Sequence, residues 1–312
     1  MQLPQGQVAL APSTTLAPSP GGGWETATPP VLTGDQDEES WDPTLGRWLP
    51  ATPEELSPSG TQYAYVEQAN GSVHLVTPAS DSDVALSTGG GYQVVGWVDE
   101  EIYLTATGTD GAQPQGLFRL SAAGGGITTA LPPSTAETWY LSAQGAIWGT
   151  GVNPQDQNPP ASGSGDEVLR YDPATGTVTS WSYAPGLTVN LLGVTAAGYP
   201  VELVEGPRSN TLEVATSPTA TARLLSGAGL DSLQPLEVSS TFTDSHGTWL
   251  TTDSGLYLLT PSLTLDLEQT GNFANAEGVG PCAGVQPPVP VGWKRKVRAA
   301  AIRTTPPTPT RK

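Results

Sequence analysis

VSSTFTDSHGTWLTTDSGLYLLTPSLTLDLEQ, the stretch from Val238 to Gln269, decides the fold of this chain. Its four short apolar runs are separated by three turn signals, Asp244–Gly247, Asp253–Gly255 and Thr260–Ser262. In Leu263–Leu267 every second side chain is apolar, which is the period of a strand with one buried face. The pattern therefore predicts a four-stranded antiparallel meander. A sheet this thin needs neighbouring sheets to cover both of its faces.

The first of these turns has four relatives earlier in the chain, each between apolar or aromatic runs. The five turns begin at residues 57, 99, 142, 195 and 244, so the steps are 42, 43, 53 and 49 residues. A period of about 40–50 residues, rich in turns and without a helical pattern, is typical of propeller blades. The two longest steps contain polar insertions, residues 151–166 and 227–235.

The second half of each repeat also fits a blade, because two more strand candidates follow every turn. These pairs are 73–76 with 83–86, 117–120 with 127–131, 168–171 with 178–181, and 212–214 with 222–225. Five blades are therefore legible. We predict an all-β, six-bladed β-propeller in which residues 24–50, joined by 271–285, form an irregular closing blade. A five-bladed ring is the alternative.

The composition predicts three regions along the chain. Residues 1–23 are rich in Pro, Ser, Thr and Gly and are predicted to be a flexible lead. The propeller is expected over 24–285, and a disordered, basic, Pro-rich tail over 286–312. A ring closed by strands from both ends leaves no open sheet edge to invite aggregation. Within 24–50, the run Trp41–Trp48 parallels a later hairpin candidate, Tyr171–Val178, in its aromatic–Asp–Pro turn.

Charge is distributed unevenly along this acidic chain, whose formal net charge is −18. Residues 1–293 hold all 30 acidic residues and five arginines, whereas residues 294–312 hold seven basic residues and no acid. An acidic body repels phosphate, so we expect no nucleic-acid partner. The basic run Lys294–Arg298 is predicted to belong to the disordered tail. Binding to an anionic surface, or to the acidic body of a second copy, is the alternative.

Targeting and redox signals are sparse. Cys282 is the only cysteine, so no intramolecular disulfide and no cysteine metal cluster are expected. No apolar run approaches the ~18–20 residues that span a bilayer, and no transmembrane segment is predicted. No signal peptide is legible at the start, and tethering through a segment before residue 1 stays an open alternative.

Three segments resemble repeats of known propeller families. Phe242–Tyr257, with its Asp turn, Trp and Gly-Leu-Tyr step, resembles the two-component-regulator propeller repeat. Leu56–Tyr65 is similar to a turn of Tol–Pal-type envelope propellers, with Ser59 in place of the usual Asp, and Val168–Val178 is similar to blades of streptogramin lyase-like propellers. Together they cover about residues 52–270. The resemblance implies a propeller but no particular activity, since one scaffold hosts many functions.

The sequence contains no recognisable combination of catalytic residues. His74 lies in the middle of a strand candidate and His246 in a turn, where cross-strand contact and solvation explain them. The acidic run Asp35–Glu39 lacks the spacing of a calcium loop. The triplets at 89–91 and 124–126 lack the lysine and helix of a phosphate-binding loop. We therefore predict no catalytic residue, no metal and no cofactor, and leave ligand-binding residues unassigned.

The tryptophans recur at equivalent blade positions, Trp97, Trp139 or Trp148, and Trp249. We expect them to fill the space between neighbouring blades. A stacking surface for sugars or a peptide is the alternative.

These observations favour a non-catalytic, extracytoplasmic protein of the cell envelope that binds a protein or glycan partner. Binding residues commonly lie on loops that a rigid scaffold holds in place. Contacts with the partner are therefore expected at loops 151–166 and 205–210. One alternative is a lyase or glycan-cleaving enzyme on the same scaffold. Another is the sensory part of a longer signalling chain. The oligomeric state is left unassigned.

Overall fold

The computed structural model describes most of the chain between residues 40 and 271, together with three short segments before it. The described residues are 8–11, 14–18, 24–27, 40–42, 47–67, 69–106, 115–134, 136–158, 160, 165–207, 210–218, 220, 222–225, 238–243, 246–252 and 254–271.

The first part of the chain forms two small sheets and the beginning of the repeats. Strands β1 (Val8–Ala11), β2 (Thr14–Pro18) and β3 (Trp24–Ala27) pair in that order, and β4 (Ser40–Asp42) pairs with β5 (Arg47–Leu49). A short 3-10 helix, Pro53–Glu55, follows. Sheet I then consists of β6 (Tyr63–Val66), β7 (Val73–Thr77) and β8 (Ser82–Ala85), and Leu56 adds a bridge to Tyr63.

Four complete antiparallel meanders follow, each pairing its strands in sequence order. Sheet II consists of β9 (Tyr92–Val98), β10 (Glu101–Ala106), β11 (Gln115–Ser121) and β12 (Thr128–Leu131). Sheet III consists of β13 (Glu137–Ala143), β14 (Ala146–Gly151), β15 (Glu167–Asp172) and β16 (Thr177–Tyr183). Sheet IV consists of β17 (Thr188–Val194), β18 (Pro200–Glu205), β19 (Asn210–Val214) and β20 (Arg223–Leu224). Sheet V consists of β21 (Val238–Thr243), β22 (Thr248–Thr252), β23 (Gly255–Leu259) and β24 (Leu265–Thr270).

The repeat pattern of the sequence is confirmed. The stretch Val238–Gln269 folds into the four strands predicted for it, and the other four predicted turns lie at the start of β6 and between the first two strands of sheets II, III and IV. The described residues between 90 and 270 contain no helix. The two aromatic–Asp–Pro runs are flanked by pairs of equal spacing, since Trp41 pairs with Trp48 and Tyr171 pairs with Val178. The turn residues 43–46 lie outside the described residues.

Both faces of a sheet are buried against different neighbours. In β9, Val94 packs toward sheet I and the next residue, Val95, packs toward sheet III. In β14, Ile147 packs toward sheet II and Trp148 packs toward sheet IV. Successive side chains of a strand point to opposite faces, so every sheet contributes to two cores. Each fully buried aliphatic or aromatic side chain contributes about 1.5–3 kcal/mol to stability.

Sheets I to V thus follow one another as a row of wedges. The first strands β9 and β13 contact each other, as do β17 and β21, so these strands form the inner side of the row. Cores lie between I and II, II and III, III and IV, and IV and V. This arrangement is a propeller-type all-β fold, as predicted.

The closing region packs where a sixth blade is predicted. Leu49 and Ala51 lie in one core with Tyr63, Tyr65 and Val76, on the face of sheet I that points away from sheet II. The number of blades in the ring stays a prediction, and so do the three region boundaries. Strands β1 and β2 fall within the region predicted as the lead.

Neighbouring inner strands are also joined by hydroxyl groups. Ser142 of β13 accepts a hydrogen bond from the backbone N–H of Trp97 in β9, at 3.0 Å. Thr243 of β21 donates its hydroxyl to the carbonyl of Val194 in β17, also at 3.0 Å. Gly96 makes the first contact possible, because its φ is +145° and a Cβ on it would lie 2.2 Å from Ser142 Oγ.

Each complete sheet has two ends with different connections. One end, called here the upper end, carries the start of the first strand and the loop between the second and third strands. The opposite end carries the turns that revealed the repeat. The described parts of the loop 151–166, residues 151–158, 160 and 165–166, therefore belong to the upper end of sheet III. Residues 206 and 207 belong to the upper end of sheet IV.

Candidate functional site

The upper end of sheet III gathers acidic residues from several elements. Glu137 begins β13, Gly151 ends β14, Glu167 begins β15 and Tyr183 ends β16, and the four residues pair across the sheet in one row. Neighbours in such a row point to the same face. Asp156 of the following loop and Asp166 complete the group. We call Glu137, Asp156, Asp166 and Glu167 the acidic end.

Glu137 and Glu167 share the face of sheet III that packs toward sheet II. They lie two residues before Trp139 and Leu169, which belong to the core between these sheets. Burial raises the pKa of both carboxyl groups, and repulsion from Glu167 adds to the rise of the Glu137 pKa. Two carboxylates held at the edge of an apolar core bind protons more strongly than free ones.

The loop that leaves β14 is fastened to the acidic end by backbone hydrogen bonds. Asn153 donates its backbone N–H to Asp166 Oδ1 at 2.7 Å and its side-chain amide to Glu167 Oε2 at 3.4 Å. Asp156 Oδ2 accepts the N–H of Gly186, in the connection to sheet IV, at 2.8 Å. Its Oδ1 accepts the N–H of Asn158, also at 2.8 Å. Residues 153–158 are therefore held by hydrogen bonds to Asp166 and Glu167 at the start of β15 and to Gly186 in the next connection.

Asp156 and Asp166 interact electrostatically, and the pKa values of their carboxyl groups are shifted in opposite directions. The N–H groups of Asn158 and Gly186 lower the pKa of Asp156. Burial raises the pKa of Asp166, whose side chain is 0% exposed. Asp166 Oδ2 accepts no N–H or hydroxyl donor from the described residues.

A further buried acid lies between sheets III and IV. Glu202 of β18 is 1% exposed, and Ser182 of β16 donates its hydroxyl to Glu202 Oε2 at 2.5 Å. Its Oε1 has no hydrogen-bond partner among the described residues. Burial raises the pKa of Glu202 to about 7, and the charge of Glu213, its cross-strand neighbour, acts in the same direction.

The side chains of the acidic end differ in their exposure to solvent. Paired acids with separated pKa values are a known acid–base arrangement, but Asp166 has no surface that a substrate could reach. The described residues also contain no group of three or more His, Cys, Asp or Glu side chains placed to hold a metal ion. Glu137, Asp156 and the 43% exposed Tyr183 remain within reach of a partner at this end.

The two histidines lie apart from the acidic end. His74 stacks on its cross-strand neighbour Tyr65, with ring centroids 5.0 Å apart, and its Nδ1 lies 2.8 Å from Asp83 Oδ1. Its Nε2 lies 3.5 Å from Glu67 Oε2. The predicted cross-strand contact of His74 is therefore confirmed. His246 is exposed at the turn before β22, as predicted.

Three of the recurring tryptophans fill the space between sheets, as predicted. Trp97, Trp139 and Trp148 are buried, each in a different core. Trp97 donates its indole N–H to Glu55 O at 2.8 Å, and Trp148 donates to Ala143 O at 3.1 Å. The indole N–H of Trp139 has no partner among the described residues. Trp249 is half-buried.

Some of the sequence predictions concern residues outside the described part of the chain. These are Cys282, the acidic run 35–39 and the basic run 294–298.

Sequence reasoning selected the loop 151–166 but missed the acids that hold it. Glu137, Glu167 and Glu202 lie just outside the predicted apolar strand runs, where a charged residue usually faces solvent. The available signal was the pair Asp166-Glu167 directly before the apolar residues of β15. The loop 205–210 is described at residues 205–207 and 210, and there Glu205 Oε1 accepts the side-chain amide of Asn190 at 2.8 Å.

Comparisons with known proteins support the propeller-type fold, and they show neither a family nor a function. No protein-family model matches the chain, and no curated protein matches it. A solved structure of Pyrococcus horikoshii acylaminoacyl peptidase matches 83% of this chain with a TM-score of 0.51 and 9% identity. This chain covers 41% of that peptidase. At such low identity, the likeness concerns the fold alone.

Two further solved structures have lower scores. TolB from Acinetobacter baumannii matches 85% of the chain with a TM-score of 0.43 and 11% identity, and 64% of TolB is covered. An oligogalacturonate lyase in complex with manganese matches 70% of the chain with a TM-score of 0.47 and 13% identity, and 64% of the lyase is covered. The chain thus spans less than two thirds of each of these proteins.

No helix in the described residues has both the length and the apolar character that crossing a membrane requires.

Proposed function

We propose that this protein is a non-catalytic, extracytoplasmic binding propeller that presents the upper end of sheet III to a protein or glycan partner. The observation that carries the proposal is the fastening of residues 153–158 by Asp156 and Asp166. A long polar loop gains no core burial from being ordered, and its ordering costs about 1–2 kcal/mol per residue in backbone entropy. A preformed loop lowers the entropic cost of binding a partner.

The exposed groups of this end suit a polar partner. Tyr183 offers an aromatic ring with a hydroxyl group, which suits a sugar or a peptide. The carboxylates beside it accept hydrogen bonds from hydroxyl and amino groups. The extracytoplasmic location is supported by the single cysteine and by the abundance of Thr, Ser, Gly and Pro, and cell fractionation would test it.

Binding of the full chain to immobilised envelope glycans and to solubilised envelope proteins tests the proposal. Gln155 is exposed in the loop segment 153–158. Tyr183→Ser and Gln155→Ala should each weaken binding about tenfold, a loss of about 1.4 kcal/mol. The matched control is Val178→Ser, because Val178 is also exposed on β16 but lies at the opposite end of the sheet. Its affinity should equal that of the unmodified protein.

Two results would contradict the proposal. One is an equal loss of affinity in the Val178→Ser control, which would place the contact elsewhere. The other is cleavage of a bound glycan, abolished by Asp156→Asn, which would favour the lyase or glycan-cleaving alternative.

A further inference from the structure

The turn between β6 and β7 contains the pair Asn70-Gly71. Asn70 is the one asparagine of the sequence that a glycine follows, and it is exposed. Gly71 has a φ of +73°, and a Cβ on it would lie 1.9 Å from Gly90 O in the connection to sheet II. Packing therefore keeps this position a glycine. The fold thus places a backbone nitrogen without a neighbouring side chain directly after an exposed amide.

Hydrogen bonds hold both ends of the Asn70 amide group. Its Oδ1 accepts the backbone N–H of Ser72 at 2.7 Å, and its Nδ2 donates to Glu67 Oε2 at 2.6 Å. The hydrogen bond from Ser72 closes a ring that contains the backbone nitrogen of Gly71, which is the arrangement of an Asx turn. The amide of Asn70 is thereby folded toward the residue that follows it.

We propose that Asn70 is a modification site, at which the side-chain amide is converted to an acid after ring closure by the Gly71 nitrogen. This nitrogen loses its proton to hydroxide and forms a bond to the side-chain carbonyl carbon of Asn70. The bond from that carbon to Nδ2 breaks, and Nδ2 takes a proton from water and leaves as ammonia. Water then opens the cyclic imide at either carbonyl and gives aspartate or isoaspartate. The net reaction consumes water, releases ammonia and involves no oxidation.

Two hydrogen bonds of the turn act on this reaction in opposite directions. Negative charge develops on Asn70 Oδ1 during the attack, and the N–H of Ser72 already donates to that atom. The N–H of Gly71 donates to Glu67 O at 2.8 Å, and this hydrogen bond must open before the nitrogen can attack. A hydrogen bond in a surface turn opens without unfolding of the sheet, so the folded chain can react.

The product places a negative charge beside Glu67, whose Oε2 lies 2.6 Å from the atom that is replaced. Like charges at this distance repel, and the turn that joins Glu67 to Ser72 should loosen. Hydrogen exchange in the peptide with β6 and β7 should be about threefold or more faster in Asn70→Asp than in the unmodified protein. An equal rate would refute this consequence.

The test of the proposal is incubation of the full chain in mildly alkaline buffer over several weeks, followed by peptide mass spectrometry that separates aspartate from isoaspartate. Asn70 should be converted to a mixture of both. Asn190 is the internal control, because its amide also donates to a glutamate, Glu205, at 2.8 Å, but Leu191 follows it within β17. Conversion should be at least about tenfold faster at Asn70 than at Asn190.

Asn70→Gln is the matched variant, since it keeps the amide group but adds a methylene that prevents closure of the same ring. Its turn peptide should gain no acid. Gln68 lies in the same peptide, so acid formation in this variant at the rate of the unmodified protein would assign the reaction to Gln68 and overturn the proposal.

The products formed by the unmodified protein decide the mechanism. A mixture of aspartate and isoaspartate at Asn70 supports the proposal. Aspartate alone would show direct hydrolysis of the amide without attack by Gly71. An Asn70 that stays intact in the folded protein, for as long as its conversion takes in urea, would show that the folded turn blocks the reaction. No partner is needed, so the outcome is independent of whether the proposed function holds.

Discussion

Replacing Glu202 by Gln should remove a large part of the pH dependence of stability. Burial raises the pKa of this carboxyl from 4.5 to about 7 in the folded protein. The folded state therefore keeps a proton that the unfolded state releases. The stability from Glu202 is complete below pH 4.5 and is lost as pH rises through 7. The total loss is about 3 kcal/mol, at 1.36 kcal/mol for each tenfold change in proton affinity.

Urea unfolding followed by tryptophan fluorescence measures this effect. The sequence pI is about 4.2, where an uncharged protein associates, so the practical range is pH 5.5 to 8.5. About 2 kcal/mol of the loss falls inside that range. The unmodified protein loses this stability and Glu202→Gln does not. The free energy of unfolding of Glu202→Gln minus that of the unmodified protein should therefore rise by about 2 kcal/mol between pH 5.5 and 8.5.

The matched control for this experiment is Glu205→Gln. Glu205 ends the same strand but is exposed, and it accepts an amide hydrogen bond from Asn190. Its replacement shows whether the effect is specific to the buried carboxyl or follows from removing any carboxylate of this strand. If Glu202→Gln and the unmodified protein lose stability in parallel between pH 5.5 and 8.5, the raised pKa is wrong. Ser182 would then be stabilising an ionised Glu202.

Further predictions concern the packing between sheets and are measured by urea unfolding. Gly96→Ala should destabilise the protein by about 3 kcal/mol, because the new Cβ meets Ser142 and φ is +145°. Gly125→Ala is its control, since φ is +124° but nothing lies within 4 Å, and equal losses would mean that backbone strain alone matters. Trp139→Phe should cost about 2 kcal/mol less than Trp148→Phe, because only Trp148 has a hydrogen-bonded indole N–H. Equal costs would show that the Trp139 indole has a partner, such as a water molecule.

A bulge in each first strand is a feature of the repeat that the sequence pattern did not indicate. The pairing of β9 with β10 skips Val95, and that of β13 with β14 skips Tyr140. The pairing of β17 with β18 skips Leu192, and the pairing of β21 with β22 skips Ser239. Bulges increase the local twist of a strand. Their recurrence in sheets II to V shows that the repeat extends to backbone geometry.

The strand periodicity and the turn spacing could be predicted from the sequence because each depends on a few neighbouring residues. A turn such as Ser142–Gly145 needs particular residue types at fixed positions, and an apolar alternation needs only one face to be buried. The hydroxyl contact of Ser142 with Trp97 was not legible. It joins residues 45 positions apart, and its position depends on how two sheets pack.

At the acidic end, the sequence predicted the position of the loop but not the burial of the acidic side chains. The sequence placed a polar insertion at 151–166 and so located the loop correctly at one end of a blade. It did not show that Asp166 would be buried, or that Glu202 would face Ser182 across a sheet boundary. The sequence does not show which face of the sheet an acidic side chain of a strand occupies, because that face depends on the strand register and on the neighbouring sheet.

The amino-acid sequence by itself determined that this chain forms thin, repeated antiparallel sheets, because strand period and turn chemistry are properties of a few adjacent residues. Only the tertiary structure decided which carboxyl groups lose contact with water. Proton affinity depends on burial and on charges brought together by packing, so it belongs to the assembled sheets and not to any single segment.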